Sequence, residues 1–512
     1  MKYPPLLTHG LCCLFATALG AAEQPGKAAA PKAAETGWPE VAEVVSAMKK
    51  ATAAMRREVA FAGGYAWKWP VDLSMAHGED RSAPTLIMIQ PPGTPAMGMA
   101  YLTAYAATGE RTFLAGAKEA AQALMWCQLA TGGWDSDFDF DPRKARKYHF
   151  RRDVEAGDTE AAGRRGDSTL DDQKTQSALL FLLELAHSEA GNGDAALRAA
   201  LKYGLDGLLA AQAPNGGWPQ HYTGPADATA PVTKAKIDPQ WPRVWPNEKY
   251  TGFYTLNDGN ILWVVKVLLR AHELEKDARY LAAAKKAGEF LLLARLPEPQ
   301  PVWAQQYNRE MVPVWARKFE PPAASSLESA GALRTLVELW VATGETKWLE
   351  PVKPALAWLA KTKLKDGSWA RFYELGTDQP LYCKAGTYEL TKDDRDLPTH
   401  YGFKTEESFQ KHLDKLTTEI AAGREAVRRE RALPESEKKW ASVAKGAAGK
   451  VQTALRDQDP KGWWLKDGMI DAGLFVKHFA AMNSYVTAAK KAGASFEELR
   501  QASASEPPVK GK

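Results

Sequence analysis

Cysteine is nearly missing from this chain. Its 512 residues hold 4 thiols, at Cys12, Cys13, Cys127 and Cys383, which excludes a disulfide-stapled scaffold and a cysteine-based zinc finger. Cys12 and Cys13 fall in a segment expected to be removed. Cys127 and Cys383 then remain, either as buried free thiols or as one long-range disulfide. Histidine is also scarce, and His149, His221 and His400 do not form a zinc motif. An excess of one charge sign is lacking too: 66 basic against 62 acidic residues give +4. That argues against a nucleic-acid binder and leaves room only for a local basic groove facing an anionic polymer. Beyond the N-terminus no unbroken apolar run is long enough to span a membrane.

With 45% hydrophobic residues the chain can bury a large core. Lys2, the apolar run Leu11–Leu19 and the small residues Gly20, Ala21 and Ala22 have the order of a secretory signal, so the protein is expected to be secreted or periplasmic. The expected organisation is a signal peptide over 1–22, a flexible leader over 23–36, a main domain over 37–404, a helical extension packed on it over 405–492, and a loose tail over 493–512. The charged stretch 405–450 reads as a solvated helix.

Apolar residues at three-to-four spacing predict helix pairs at 95–108 with 111–128, 174–187 with 194–211, 260–273 with 278–295, and 328–342 with 346–362. Each pair runs into a Gly, Pro or Trp loop: Gly132-Gly133-Trp134, Gly216-Gly217-Trp218-Pro219, Pro301-Val302-Trp303 and Gly367-Ser368-Trp369. A diverged repeat of about 80 residues follows. Stacked hairpins of this kind predict an all-α fold, an α/α toroid with long functional loops, expected to be a monomer.

Helices cannot continue through these loops, and a flat Trp plate at a loop suits a sugar ring. Trp134, Trp218, Trp303 and Trp369 are therefore candidate cleft residues. Asp171 and Asp172 stand just before one helix and Asn257 and Asp258 just before the next. In a ring of hairpins such helix starts share a rim, where converging carboxylates offer oxygen ligands suited to Ca²⁺; capping the helix is the plainer role for the aspartate pair. Arg317, Arg371, Lys384 and Arg395 lie in loops expected on the same rim, among aromatics such as Tyr373. Arginines so placed favour a groove for an acidic sugar.

The runs Thr169-Leu170-Asp171-Asp172, Gly216-Gly217-Trp218-Pro219-Gln220, Leu256-Asn257-Asp258-Gly259, Ala316-Arg317-Lys318-Phe319-Glu320, Glu328-Ser329-Ala330-Gly331 and Trp369-Ala370-Arg371-Phe372-Tyr373 together resemble the family 10 polysaccharide lyases, the pectic acid lyases. The resemblance covers about 95–405. It implies a calcium-dependent β-elimination of polygalacturonate, with Asp171 and Asp258 on the family's acidic calcium positions and Arg371 on a substrate-binding arginine. The family's catalytic arginine is not matched, because Tyr382-Cys383-Lys384-Ala385-Gly386 stands there instead. Lys384 is then the nearest base-capable residue, with Arg395 downstream. Two other readings of the same residues stay open: a glycoside hydrolase using Asp171 with Asp258 or Glu320, and a non-catalytic binder of acidic glycans.

Overall fold

The structure, a computed structural model, describes residues 38–158, 160 and 162–505; the expected signal and leader lie outside the described residues. The four expected hairpins are all present. They are α2 (Thr94–Thr108) with α3 (Arg111–Trp126), α4 (Lys174–Ala186) with α5 (Ala195–Ala210), α6 (Asn260–Glu275) with α7 (Ala278–Ala294), and α8 (Ser326–Thr343) with α9 (Val352–Lys361). The first helix of each pair packs on the first helix of the next pair, forming an inner layer. Burial follows from that position. Every residue of α4 is buried, whereas α3 buries only one face, through Phe113, Ala117, Ala120, Ala121 and Leu124. Gly109 and Gly344, both at φ 78, stop α2 and α8 with left-handed caps that a β-carbon would strain.

The ring continues through α10 (Ser408–Ala422) and α11 (Arg424–Glu430), which pack on α8, and then α12 (Glu437–Asp457) and α13 (Ala472–Ala492). α13 lies against α2 and against α1 (Val41–Ala54), so the two chain ends meet. The fold is thus an α/α toroid around one continuous core. Of the tail expected to be loose, residues 494–505 form helix α14 (Ala494–Ser505). Its Phe496 is buried between Trp38 and Tyr485, at ring separations of 5.3 and 5.7 Å, and that apolar anchor outweighs the polar composition around it.

A short strand enters each inner helix and pairs with the strand that follows the hairpin: Leu86–Met88 with Asp137–Asp139, Ser168–Thr169 with His221–Tyr222, and Tyr254–Thr255 with Gln306–Tyr307. One of the two five-stranded sheets among the described residues is ordered β5-β4-β3-β2-β1, made of β1 (Trp303–Ala304), β2 (Ala323–Ser325), β3 (Phe372–Glu374), β4 (Pro380–Cys383) and β5 (Leu390–Thr391).

The loop tryptophans do not line a cleft. Trp134, Trp218, Trp303 and Trp369 are at most 2% exposed. Each indole N–H donates to a carbonyl in the last turn of the preceding outer helix: Leu124 at 2.9 Å, Leu208 at 2.8 Å, Leu291 at 2.7 Å and Leu359 at 2.6 Å. Trp464 does the same to Ala454 of α12 at 2.8 Å. A helix leaves its last four carbonyls without partners, and the tight turn folds the ring back beneath them. Tyr373 is likewise core, its hydroxyl donating to the Thr362 carbonyl at 2.7 Å. Cys127 and Cys383 are buried free thiols.

Candidate active site

The inner helices point their N-termini at one rim, and two of those starts share a backbone. Before α4, Asp172 (φ 43) and Gln173 (φ 64) are left-handed; before α6, Asp258 (φ 49) and Gly259 (φ 70) are left-handed in the same order. Aspartate tolerates this region better than most side chains. The double reversal turns Asp171, Asp172 and Asp258 toward one another, with carboxylate oxygens all within 4.8 Å.

Each acid is held. Asp171 accepts from Lys174 Nζ at 2.9 Å and from Gln220 Nε2 at 2.9 Å. Asp172 accepts from Gln90 Nε2 at 3.1 Å, which brings in the residue just before the α2 turn. Asp258 accepts from Asn257 Nδ2 at 2.6 Å. Lys174, almost fully covered, also lies 3.8 Å from Asp172. Burial pushes the Asp258 carboxyl up to about 7, with repulsion from Asp172 next in size. Burial and then Asp171 push Asp172 up to about 6. Burial also acts to raise Asp171, yet the Lys174 ammonium and its hydrogen bonds bring it below the usual range.

A second layer of charge backs the trio. Arg371, which precedes β3, is 8% exposed and donates to Glu328 Oε1 at 2.9 Å and Asn257 Oδ1 at 3.1 Å. Glu328 also accepts from the Ser325 hydroxyl. Arg317 binds Glu320 through Nε at 2.8 Å and Nη2 at 2.5 Å. The ring of Tyr401 lies 4.6 Å from the Arg371 guanidinium and 5.4 Å from that of Arg317, while its hydroxyl donates to Glu320 at 2.9 Å. Arg317 is the half-exposed cation here, and its charge acts on both Asp171 and Asp172.

Of the residues expected on this rim, Asp171, Asp258, Arg371 and Arg317 are brought together. Lys384 and Arg395 are not. Lys384 leaves the end of β4 exposed and pairs with Glu389 at 3.0 Å; Arg395 pairs with Asp393 at 2.5 Å and is the more exposed of the two. Each has found an acid within five residues on the outer sheet, and neither is among the main charges acting on the trio. Lys174, Glu328 and Tyr401 are members that sequence reasoning missed, while Glu320, expected only as a hydrolase partner of Asp171, is the ion-pair partner of Arg317. Lys174 had a signal, lying on the turn after Asp171; Tyr401 had none, since it meets Glu320 across 81 residues.

Three carboxylates with oxygen donors only, two of them raised by desolvation and then by mutual repulsion, form a donor set that fits a divalent cation. Asp171 and Asp172 on one strand exit and Asp258 on the next would hold it. Lys174 already supplies one positive charge from below.

An α/α toroid with charged groups at its inner-helix rim does not by itself fix a reaction. Residues 142–368 match the model of the pectic acid lyase family. Solved structures with similar folds include a family 10 polysaccharide lyase from Cellvibrio cellulosa, 18% identical over 63% of this chain and 96% of that one with a TM-score of 0.41. A mutant of the same enzyme in complex with trigalacturonic acid gives 18%, 63%, 97% and 0.42. A family 76 glycoside hydrolase (mannosidase) from Bacteroides thetaiotaomicron is 11% identical over 88% of this chain and 99% of that one, with a TM-score of 0.42. No curated protein matches.

Proposed function

We propose that the protein is a calcium-dependent lyase that cleaves polygalacturonate or a closely related uronate polymer by β-elimination, as a secreted or periplasmic monomer. The observation that carries this reading is the trio Asp171, Asp172 and Asp258, facing the half-exposed Arg317 on one rim.

In a uronate the proton on C5 becomes removable when charge on the adjoining carboxylate is neutralised. Bound calcium would supply part of that neutralisation. The remainder comes from the chain. Arg317 keeps one amino group clear of its two bonds to Glu320, and that nitrogen is the one this scheme offers to the substrate. Arg371 contributes field from beneath, fixed by Glu328 and Asn257 so that little reorganisation accompanies the reaction. Lys174 keeps Asp171 ionised and fixed in place.

Lys384, paired with Glu389 away from the trio, gives way in this scheme to Arg317 as the group that takes the C5 proton. Burial acts to lower the Arg317 proton affinity, but the paired Glu320 more than reverses that and keeps the guanidinium charged at rest. Proton removal through it therefore needs the Glu320 pair to open on substrate binding, and turnover should climb toward alkaline pH. The C5–H electrons then form the C4=C5 double bond as the C4–O bond breaks and the leaving oxygen takes a proton from solvent.

The test is incubation of the purified protein with polygalacturonate, with and without calcium, while following ultraviolet absorbance of the unsaturated uronate end. Absorbance that grows with calcium and disappears on chelation supports the reading. New reducing ends without that absorbance would replace it with hydrolysis.

A further inference from the structure

Beside the trio lies a cavity of about 410 Å³, within the size range of small-ligand sites. Its walls are the two chain segments that carry site residues. One contributes Pro219, His221 and Tyr222, on either side of the Gln220 that bonds Asp171; the other is Phe253 and Tyr254, just ahead of Asn257 and Asp258. The segments are joined through the bridge between Pro219 and Tyr254. His221 lines the cavity and lies within the field of Asp171, which links the cavity to the trio.

Its chemistry differs from that of the trio. Alanines, prolines and the rings of Phe253 and Tyr254 make most of the surface, and the only full charges in the lining are Asp227 and Arg309. Those two form an ion pair with each other, and Arg309 also donates to the Thr229 hydroxyl at 2.8 Å. His221 is lowered from its ordinary value by burial. Seating a carboxylate here would take it out of water with no free cation to meet it. A sugar ring without charge meets apolar plates on its faces and the Asp227–Arg309 pair at its hydroxyls.

We infer that this cavity is a distal subsite for an uncharged pyranose, so that the enzyme places a uronate at the trio and a neutral sugar or an esterified uronide one or two positions along the chain. The inference rests on the lyase reading for the direction of the polymer.

The experiment is calorimetric binding to the full chain carrying Asp258→Asn, which removes cleavage from the measurement. Three probes are used: de-esterified oligogalacturonide, partly methyl-esterified oligogalacturonide, and a neutral galactan oligosaccharide. Phe253→Ala and Arg309→Ala, each added to that background and checked for an unchanged melting temperature, should weaken the esterified probe by about tenfold and leave the de-esterified one within about twofold. Comparable loss for the galactan would identify a neutral sugar as the occupant, and loss for the esterified probe alone an ester. Equal effects on charged and uncharged probes, or no effect on any, overturn the subsite. The two readings fail separately: elimination of polygalacturonate with no dependence of esterified binding on Phe253 removes the subsite alone, while Phe253-dependent binding without any elimination removes the lyase alone.

Discussion

The starts of α4 and α6 follow one backbone path and carry different cargo. Thr169-Leu170-Asp171-Asp172-Gln173-Lys174 and Thr255-Leu256-Asn257-Asp258-Gly259-Asn260 both place two left-handed residues before the helix. The first brings two acids and a lysine that bonds one of them; the second brings one acid and an amide that also receives Arg371. The shared backbone decides where the carboxylates point, and the differing neighbours decide their ionisation. Asp171 is drawn below its ordinary range by Lys174 while Asp258, with no lysine beside it, is pushed up to about 7.

The largest expected effect comes from removing the half-exposed cation whose charge acts on the first of these starts. Arg317→Ala should lower kcat on polygalacturonate by about three orders of magnitude, Arg317→Lys should recover part of it, and Lys384→Ala should leave the rate within about twofold; a rate tied to Lys384 would return the chemistry to the outer sheet.

Asymmetric ionisation gives a pH test without substrate. In metal-free protein Asp172 and Asp258 hold protons that an unfolded chain has lost, because their folded values of about 6 and 7 exceed the ordinary carboxyl value. Their contribution to stability is complete below about pH 4 and is lost as pH rises through 6 to 7. The melting temperature should therefore carry a decline over that window that shrinks in Asp258→Asn and is offset by added calcium. A flat profile in both proteins would break the picture of crowded acids.

A third comparison sets rim against core. Trp218→Phe removes the indole N–H from the Leu208 carbonyl and leaves that acceptor buried, a loss of about 1–3 kcal/mol, with KM for polymer unchanged. A raised KM at unchanged stability would restore the tryptophan to a substrate role. The smallest effect isolates the backbone itself. Gln173→Gly should stabilise the fold by up to about 1 kcal/mol by relieving a side chain at φ 64, while Gly259→Ala should cost a similar amount at φ 70, read by denaturant unfolding.

Most of the fold was legible because the hairpins obey helical periodicity and stop at glycine. α12 read as a solvated helix because its inward face is mainly alanine, Ala441, Ala444, Ala447, Ala448 and Ala454, which carries little hydropathy although it packs tightly. The trio was legible from two matching helix starts. The Trp residues were misread because a Gly-Gly-Trp turn looks like a platform from sequence, whereas the recurrent distance from each Trp to the end of its outer helix marks a latch. Glu328 and Tyr401 were hidden because they meet Arg371 and Glu320 across 43 and 81 residues, and no local pattern encodes those meetings.

The seam where α13 lies against α1 and α2 has a consequence for biogenesis. α1 and α2 keep an apolar flank uncovered until α13 has emerged, so the toroid can close only after α13 is available. Deleting α13 should therefore leave a sticky, open arc rather than a smaller working enzyme.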